Sequence, residues 1–180
     1  TIGRANADIV LSDIDQQNPR YVGVLDVKDF NTSAITKNNA VGLISGRFNV
    51  DGRGFDVNTL TLRTKSNISK IDITGKTINN LYLDGTLNQK QYNGIITIND
   101  EEAKGKITGK IDFSTPRLFA DIKGNIDYLN LSYFGVQGNG KSVFSGNVDG
   151  KLAFKDLSDM NLDAQLNNVI FYAGDQKIDV

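Results

Sequence analysis

Long stretches of this chain place an apolar residue at every second position, and glycine repeatedly takes one of the apolar places. Of the eighteen glycines, ten stand two residues before an aliphatic or aromatic residue, as in Gly46-Arg-Phe48, Gly94-Ile-Ile96, Gly105-Lys-Ile107, Gly109-Lys-Ile111, Gly124-Asn-Ile126 and Gly150-Lys-Leu152. Side chains alternate across a strand, so each glycine shares a face with the apolar residue after it, and Lys, Asn, Asp, Thr and Arg take the other face. Glycine in a strand packs nothing and weakens it, which marks a bend or a close approach of another segment. The pattern requires many amphipathic strands, each with gaps in its apolar face.

The period-two stretches are Ala5-Ala7-Ile9-Leu11, Ile44-Gly46-Phe48-Val50, Leu60-Leu62, Ile71-Ile73-Gly75, Leu81-Leu83-Gly85-Leu87, Tyr92-Gly94-Ile96-Ile98, residues 103–113, 118–128, 144–154 and 160–166, and a closing pair near Val169-Phe171 and Ile178-Val180. Polar tetrads such as Asn88-Gln-Lys-Gln91 and Asn99-Asp-Glu-Glu102, and the tripeptide Gly174-Asp-Gln176, are short enough for hairpins. An antiparallel meander of about a dozen strands follows. Residues 29–39 lack alternation and are expected to form a loop or a helical turn. With two prolines and a uniform composition there is no boundary, and residues 1–180 are expected to form a single segment, cut from a longer protein.

Such a meander closes into a barrel, stacks as a sandwich, or curls as an open sheet. The chain has no tryptophan and is 39% hydrophobic, too little bulk for the usual sandwich core, and glycine on the inner side favours sharp curling. The expected fold is therefore all-β: an elongated antiparallel meander curled into an open groove. Its inner face should carry Phe48, Val50, Leu60, Leu62, Ile71, Ile73, Leu83, Leu87, Ile96, Ile98, Ile107, Ile111, Phe113, Ile122, Ile126, Phe144, Val148, Leu152, Phe154, Leu162 and Leu166.

Composition argues against most chemistry. Twenty basic residues against twenty-one acidic ones give a net charge of −1, with no basic field for nucleic acid. The absence of histidine and cysteine removes the common general base, the thiol nucleophile and most transition-metal sites, so neither an enzyme nor a cofactor is expected. Asp13-Ile-Asp15, residues 51–56 and residues 99–102 offer oxygen ligands without the spacing of a calcium loop. Gly135-Val-Gln-Gly-Asn-Gly-Lys-Ser142 matches the phosphate-loop pattern, but that chemistry needs a following helix. Here residues 143–154 alternate as a strand, so a glycine-rich hairpin loop is expected, not a nucleotide site.

Several ordered motifs carry a resemblance. Residues 41–60, Leu81-Tyr-Leu-Asp-Gly-Thr-Leu87, Tyr92-Asn-Gly-Ile-Ile-Thr-Ile-Asn-Asp100 and Gly105-Lys-Ile-Thr-Gly-Lys-Ile-Asp-Phe113 resemble, in succession, the repeated glycine-containing strand units of the AsmA-like TamB family. Residues 125–131, Phe144-Ser-Gly-Asn-Val148 and 166–172 resemble its further strands, so the likeness runs from about residue 20 to the end. The resemblance implies a U-shaped sheet, a β-taco, with an apolar concave face. It implies a periplasmic protein of a Gram-negative bacterium, anchored in the inner membrane and meeting a BamA-family barrel through regions outside this segment. The implied role is carrying phospholipid acyl chains between membranes or assisting assembly of unfolded outer-membrane strands. The alternative is a structural or adhesive β-rich surface module with a sealed core. The discriminating property is whether the apolar face stays open.

Overall fold

The computed structural model describes residues 3–33, 41–135, 141–154, 159, 161–173 and 176–179. Eleven strands form one open sheet in strict sequence order: β1 (Arg4–Ser12), β2 (Arg20–Asn31), β3 (Val41–Arg53), β4 (Thr61–Ile73), β5 (Lys76–Asn88), β6 (Gln91–Asn99), β7 (Ala103–Asp112), β8 (Leu118–Asn130), β9 (Ser142–Phe154), β10 (Asn161–Ala173) and β11 (Gln176–Asp179). Every neighbouring pair is antiparallel. At about 4.8 Å per strand the sheet extends roughly 50 Å across its strands.

Tight hairpins fix the register. Thr74 and Gly75 both take positive φ (50° and 79°) between β4 and β5, and Gln89 and Lys90 do the same (47° and 69°) between β5 and β6. Paired left-handed residues make turns whose twist matches that of the strands they join.

Register then aligns the apolar positions into rows that cross the sheet. The first runs Leu11, Tyr21, Gly52, Leu62, Leu87, Tyr92, Ile111, Ala120, Leu152, Leu162. The second runs Ile9, Gly23, Val50, Thr64, Gly85, Gly94, Gly109, Ile122, Gly150, Ala164. The third is bulkier: Ala7, Leu25, Phe48, Ser66, Leu83, Ile96, Ile107, Gly124, Val148, Leu166. A fourth runs Ala5, Val27, Gly46, Ile68, Leu81, Ile98, Gly105, Ile126, Gly146.

The second row, with Gly23, Gly85, Gly94, Gly109 and Gly150, is the densest line of close approaches, a crease, and single glycines approach as closely in the third row (Gly124) and the fourth (Gly46, Gly105). A Cβ added to Gly94 would lie 2.4 Å from the Asp84 carbonyl oxygen and 2.5 Å from Gly85 Cα, and one on Gly109 would lie 2.0 Å from the Asp121 oxygen. Neighbouring backbones approach this closely on the apolar side only where the sheet is folded toward that side, and only glycine fits there.

A line of irregularities past the fourth row adds a second bend. The register shifts between Val27 and Phe30, Ser45 and Gly46, Lys104 and Gly105, Ile126 and Leu129, and Asn167 and Ile170. Asp29, Asn80 and Asn168 along this line take φ of 50°, 55° and 54°, a left-handed conformation that Asp and Asn tolerate better than other side chains. Bulges bend and twist a strand. They also return the apolar residues to the inner face: Ile68 and Ile71, and opposite them Leu81 and Ile78, are three apart yet share one buried cluster.

The fold is thus all-β, an antiparallel meander curled into an open groove, with corrections in detail. The sequence reading did not mark residues 20–31 as a strand, because Val22 and Val24 put apolar residues on both faces; β2 runs there, and Asp29 to Asn31, expected in a loop or turn, close it beyond a bulge. Residues 34–39 of that expected loop lie outside the described residues. Leu62 and Ile71-Ile73, expected in separate stretches, are two ends of one strand, β4, which begins after Leu60 and whose middle inner positions are Thr64 and Ser66.

Candidate functional site

The four rows form the floor and walls of the groove, and none contains Asp, Glu, Lys or Arg. Charges on these strands fall on the opposite face, where several partners across strands have opposite sign: Lys65 with Asp84 at 3.2 Å, Lys123 with Asp149 at 2.7 Å and Arg47 with Asp26 at 3.3 Å. Exposed pairs of this kind stabilise by at most about 1 kcal/mol each. Their larger effect is on register, since a slip of one residue would carry every one of these charges into the groove.

Most inner residues are half-buried. Leu25, Phe48, Leu83, Ile96, Ile107, Ile111, Ile122 and Ile126 are all intermediate in exposure. Toward the two edges of the sheet the face opens further, with Leu11 53%, Leu162 48% and Leu166 44% exposed. The sealed part is local. Ile68, Ile71, Ile78 and Leu81 are buried in one cluster against which Phe48, Leu83, Ile96, Tyr133 and Phe134 pack.

The polar groups of the floor are satisfied within it. The Thr64 hydroxyl donates to the Asn49 carbonyl at 3.0 Å and shares a hydrogen bond with the fully buried Ser66. Tyr92 lays its ring over the crease: a Cβ on Gly85 would meet its Cζ at 2.8 Å, and one on Gly94 its hydroxyl at 2.7 Å. Tyr21 covers Gly52 in the same way and stacks on Phe55 at 5.3 Å. An aromatic ring laid over glycine restores the apolar contact that glycine lacks.

Tyr92 donates to the Ile95 carbonyl at 2.9 Å, and burial, followed by the nearby Asp84 charge, pushes its pKa up to about 12. A group whose folded pKa is raised contributes stability that is complete below its unfolded value, near 10, and is lost as pH rises toward the folded one. Stability is therefore expected to fall between about pH 10 and pH 12. In Tyr92→Phe that part of the alkaline loss should disappear, as read by denaturant titration at pH 8 and pH 11.

Of the residues expected on the inner face, Leu62, Leu87, Ile111, Leu152 and Leu162 lie in the first row, Val50 and Ile122 in the second, Phe48, Leu83, Ile96, Ile107, Val148 and Leu166 in the third, and Ile98 and Ile126 in the fourth. Ile71 and Ile73 belong to or pack on the buried cluster beyond the bulge line, and Phe144 pairs with Leu129 there. Leu60 and Phe113 fall outside the strands: the Leu60 carbonyl accepts the Gln89 N–H, and the Phe113 N–H donates to the Lys90 carbonyl. Phe154 is opposite Leu118 in the register at the end of β9. Tyr21, Leu25, Val27, Ile68, Leu81 and Tyr92 also lie on the inner face outside the expected set, and period-two spacing marks only Leu81 and Tyr92 among them.

The other motifs resolve into structural roles. The phosphate-loop match is followed by β9, a strand; residues 136–140 of it lie outside the described residues. Its Lys141 ammonium sits 5.3 Å from the centre of the Tyr128 ring. Asp100 accepts from Asn79 N–H at 2.8 Å, Asn79 Nδ2 at 3.0 Å and Glu102 N–H at 2.7 Å, which builds the β6–β7 turn. Burial raises its pKa, but these hydrogen bonds outweigh burial and hold it below the ordinary carboxylate value. Asp51 is held by two bonds from the Arg20 guanidinium, and Asp56 caps its own turn through Asn58. Among the described residues no group of three or more acids is placed to hold a metal ion.

No protein-family model, curated protein or solved structure matches this chain.

Proposed function

We propose that this chain is a segment of a hydrophobic conduit, a groove that carries phospholipid acyl chains between the two membranes of a Gram-negative envelope. The observation that supports the reading most is the charge-free inner face, which continues through ten successive strands and is only half-buried along most of its length. A soluble protein rarely keeps an apolar strip of several hundred Å² without something to cover it. An acyl chain suits the strip because each buried CH₂ contributes about 0.8 kcal/mol without demanding a directional partner. The glycine crease leaves a smooth, non-specific track where a bulky residue at each position would make separate pockets.

The likeness of the ordered motifs to the AsmA-like TamB proteins points the same way. On that reading the segment works in the periplasm within a parent protein anchored in the inner membrane. A BamA-family barrel is then met through other regions, and unfolded outer-membrane strands are a second class of client. No catalysis, nucleotide or nucleic acid is involved.

Native mass spectrometry and solvent extraction of the protein, purified from an envelope fraction without detergent exchange, test this directly. Phospholipid should be recovered in a fixed stoichiometric ratio and should exchange with added brominated lipid. Protein that is consistently lipid-free and refuses exchange would sink the conduit reading in favour of a structural module.

A further inference from the structure

The β8–β9 connection does more than join two strands. β5 pairs with β6 only from Leu81 onward, so its residues 76–80 overhang as a step in one wall, while β8 ends level with β7, where Leu129 pairs with Ala103. Residues 131–135 fold back over this step. The strap is tied at its base, where Asn130 N–H donates to the Glu102 carbonyl at 2.9 Å, Leu131 N–H to the Ser142 carbonyl at 2.9 Å and Ser142 N–H to the Ser132 hydroxyl at 2.7 Å. At its far end the Tyr133 hydroxyl accepts the Thr77 N–H at 3.1 Å and donates to the Thr77 carbonyl at 2.8 Å, fifty-six residues away in sequence. Lys76 lies 5.2 Å from the centre of the Tyr133 ring, and Phe134 meets that ring edge-on at 5.2 Å. Both aromatics pack on the Ile68, Ile71, Ile78 and Leu81 cluster of the inner face.

We infer that Tyr133 and Phe134 are an internal plug. Their rings occupy the groove over β4 and β5 beyond the bulge line, where an acyl chain would otherwise lie, and so confine a bound chain to the crease and the rows beside it. The cluster beneath them is the most thoroughly buried part of the inner face, with Ile68 2% and Ile78 4% exposed. Four buried apolar side chains meet in this cluster, and the aromatic side chains packed on it come from a connection, not from a second sheet. A hydroxyl that bonds both polar groups of one edge residue lets the aromatic pair be held without a covalent tie. The inference rests on the conduit reading, because a plug needs something to exclude.

The chain has no tryptophan, so one introduced at a chosen place reports alone. Brominated fatty acid quenches tryptophan only near contact, and two reporters separate the claims: Ile111→Trp in the first row, away from the cluster, and Ile73→Trp on the cluster that the plug covers. The expected result is saturable quenching of Ile111→Trp and none of Ile73→Trp, until Tyr133→Ala and Phe134→Ala are added, whereupon Ile73→Trp is quenched at least twofold. Quenching of Ile73→Trp with the plug intact would overturn the inference. So would its persistence unquenched after the plug is removed while Ile111→Trp responds. Absence of quenching at Ile111→Trp would instead remove the conduit reading and the plug with it. If the double alanine variant loses its β circular dichroism, Tyr133→Phe decides: it keeps the ring and releases both bonds to Thr77, and must give partial quenching at Ile73→Trp.

Discussion

Gly94→Val is expected to be among the most damaging single substitutions in this chain, lowering the melting temperature by about 6–12 °C, the shift that about 3 kcal/mol produces in a chain of this size. The reason is space. The first carbon of the new side chain would arrive 2.4 Å from the Asp84 carbonyl oxygen and 2.5 Å from Gly85 Cα, backbone atoms that cannot rotate away. The crease must open at that point, and Tyr92, whose ring lies on the same two glycines, loses its seat. Gly75→Asn is the control. Gly75 has φ of 79° but nothing within 4 Å of a Cβ, and asparagine tolerates that conformation, so its melting temperature should move by only a few degrees. Equal effects at the two positions would show that glycine serves conformation throughout and that the close approach across the crease is unimportant.

Ile107→Asp is expected to weaken acyl-chain binding by about 30-fold while the sheet stays folded. Ile107 lies in the third row between Ile96 and Gly124, where it is half-buried and surrounded by apolar neighbours. A carboxylate there keeps water around itself and displaces roughly two or three methylenes of a bound chain, at about 0.8 kcal/mol each. The neighbouring Lys106→Asp makes a larger change in charge on the other face, beside Thr97 and Asn125, and should leave binding within about twofold. Fluorescent fatty-acid titration of both variants, with circular dichroism as the folding check, gives the comparison. Equal losses from both faces would remove the support for an inner track.

Much of the fold was legible because a strand's period of two is written directly in residue order. Stretches such as Ala103-Gly105-Ile107-Gly109-Ile111 name their own inner face, and turns such as Asn88-Gln-Lys-Gln91 fall where the structure has hairpins. Legibility failed wherever alternation was broken for a three-dimensional reason. In β2, Val22 and Val24 hide the pattern of Tyr21, Leu25 and Val27, and the bulge at Asp29 then shifts its phase. In β4, Thr64 and Ser66 occupy inner positions as polar residues because they bond each other and the Asn49 carbonyl. Nothing in the local sequence signals that satisfaction. Tyr133 was equally silent, since its partner Thr77 is fifty-six residues away.

The sequence by itself determined that this chain is all-β, that its strands have one charge-free face and one charged face, and that glycine interrupts the apolar one. These are consequences of spacing within a strand, a local property. Only the tertiary structure decided that Gly85, Gly94, Gly109 and Gly150 fall on one line, that Asp29, Asn80 and Asn168 fall on another, and that the β8–β9 connection returns to cover β5. Those facts depend on register between strands, which the hairpins and the burial of whole faces set together, so no single strand contains them. Spacing makes each strand amphipathic; alignment of its gaps with those of its neighbours is what curls the sheet into a groove.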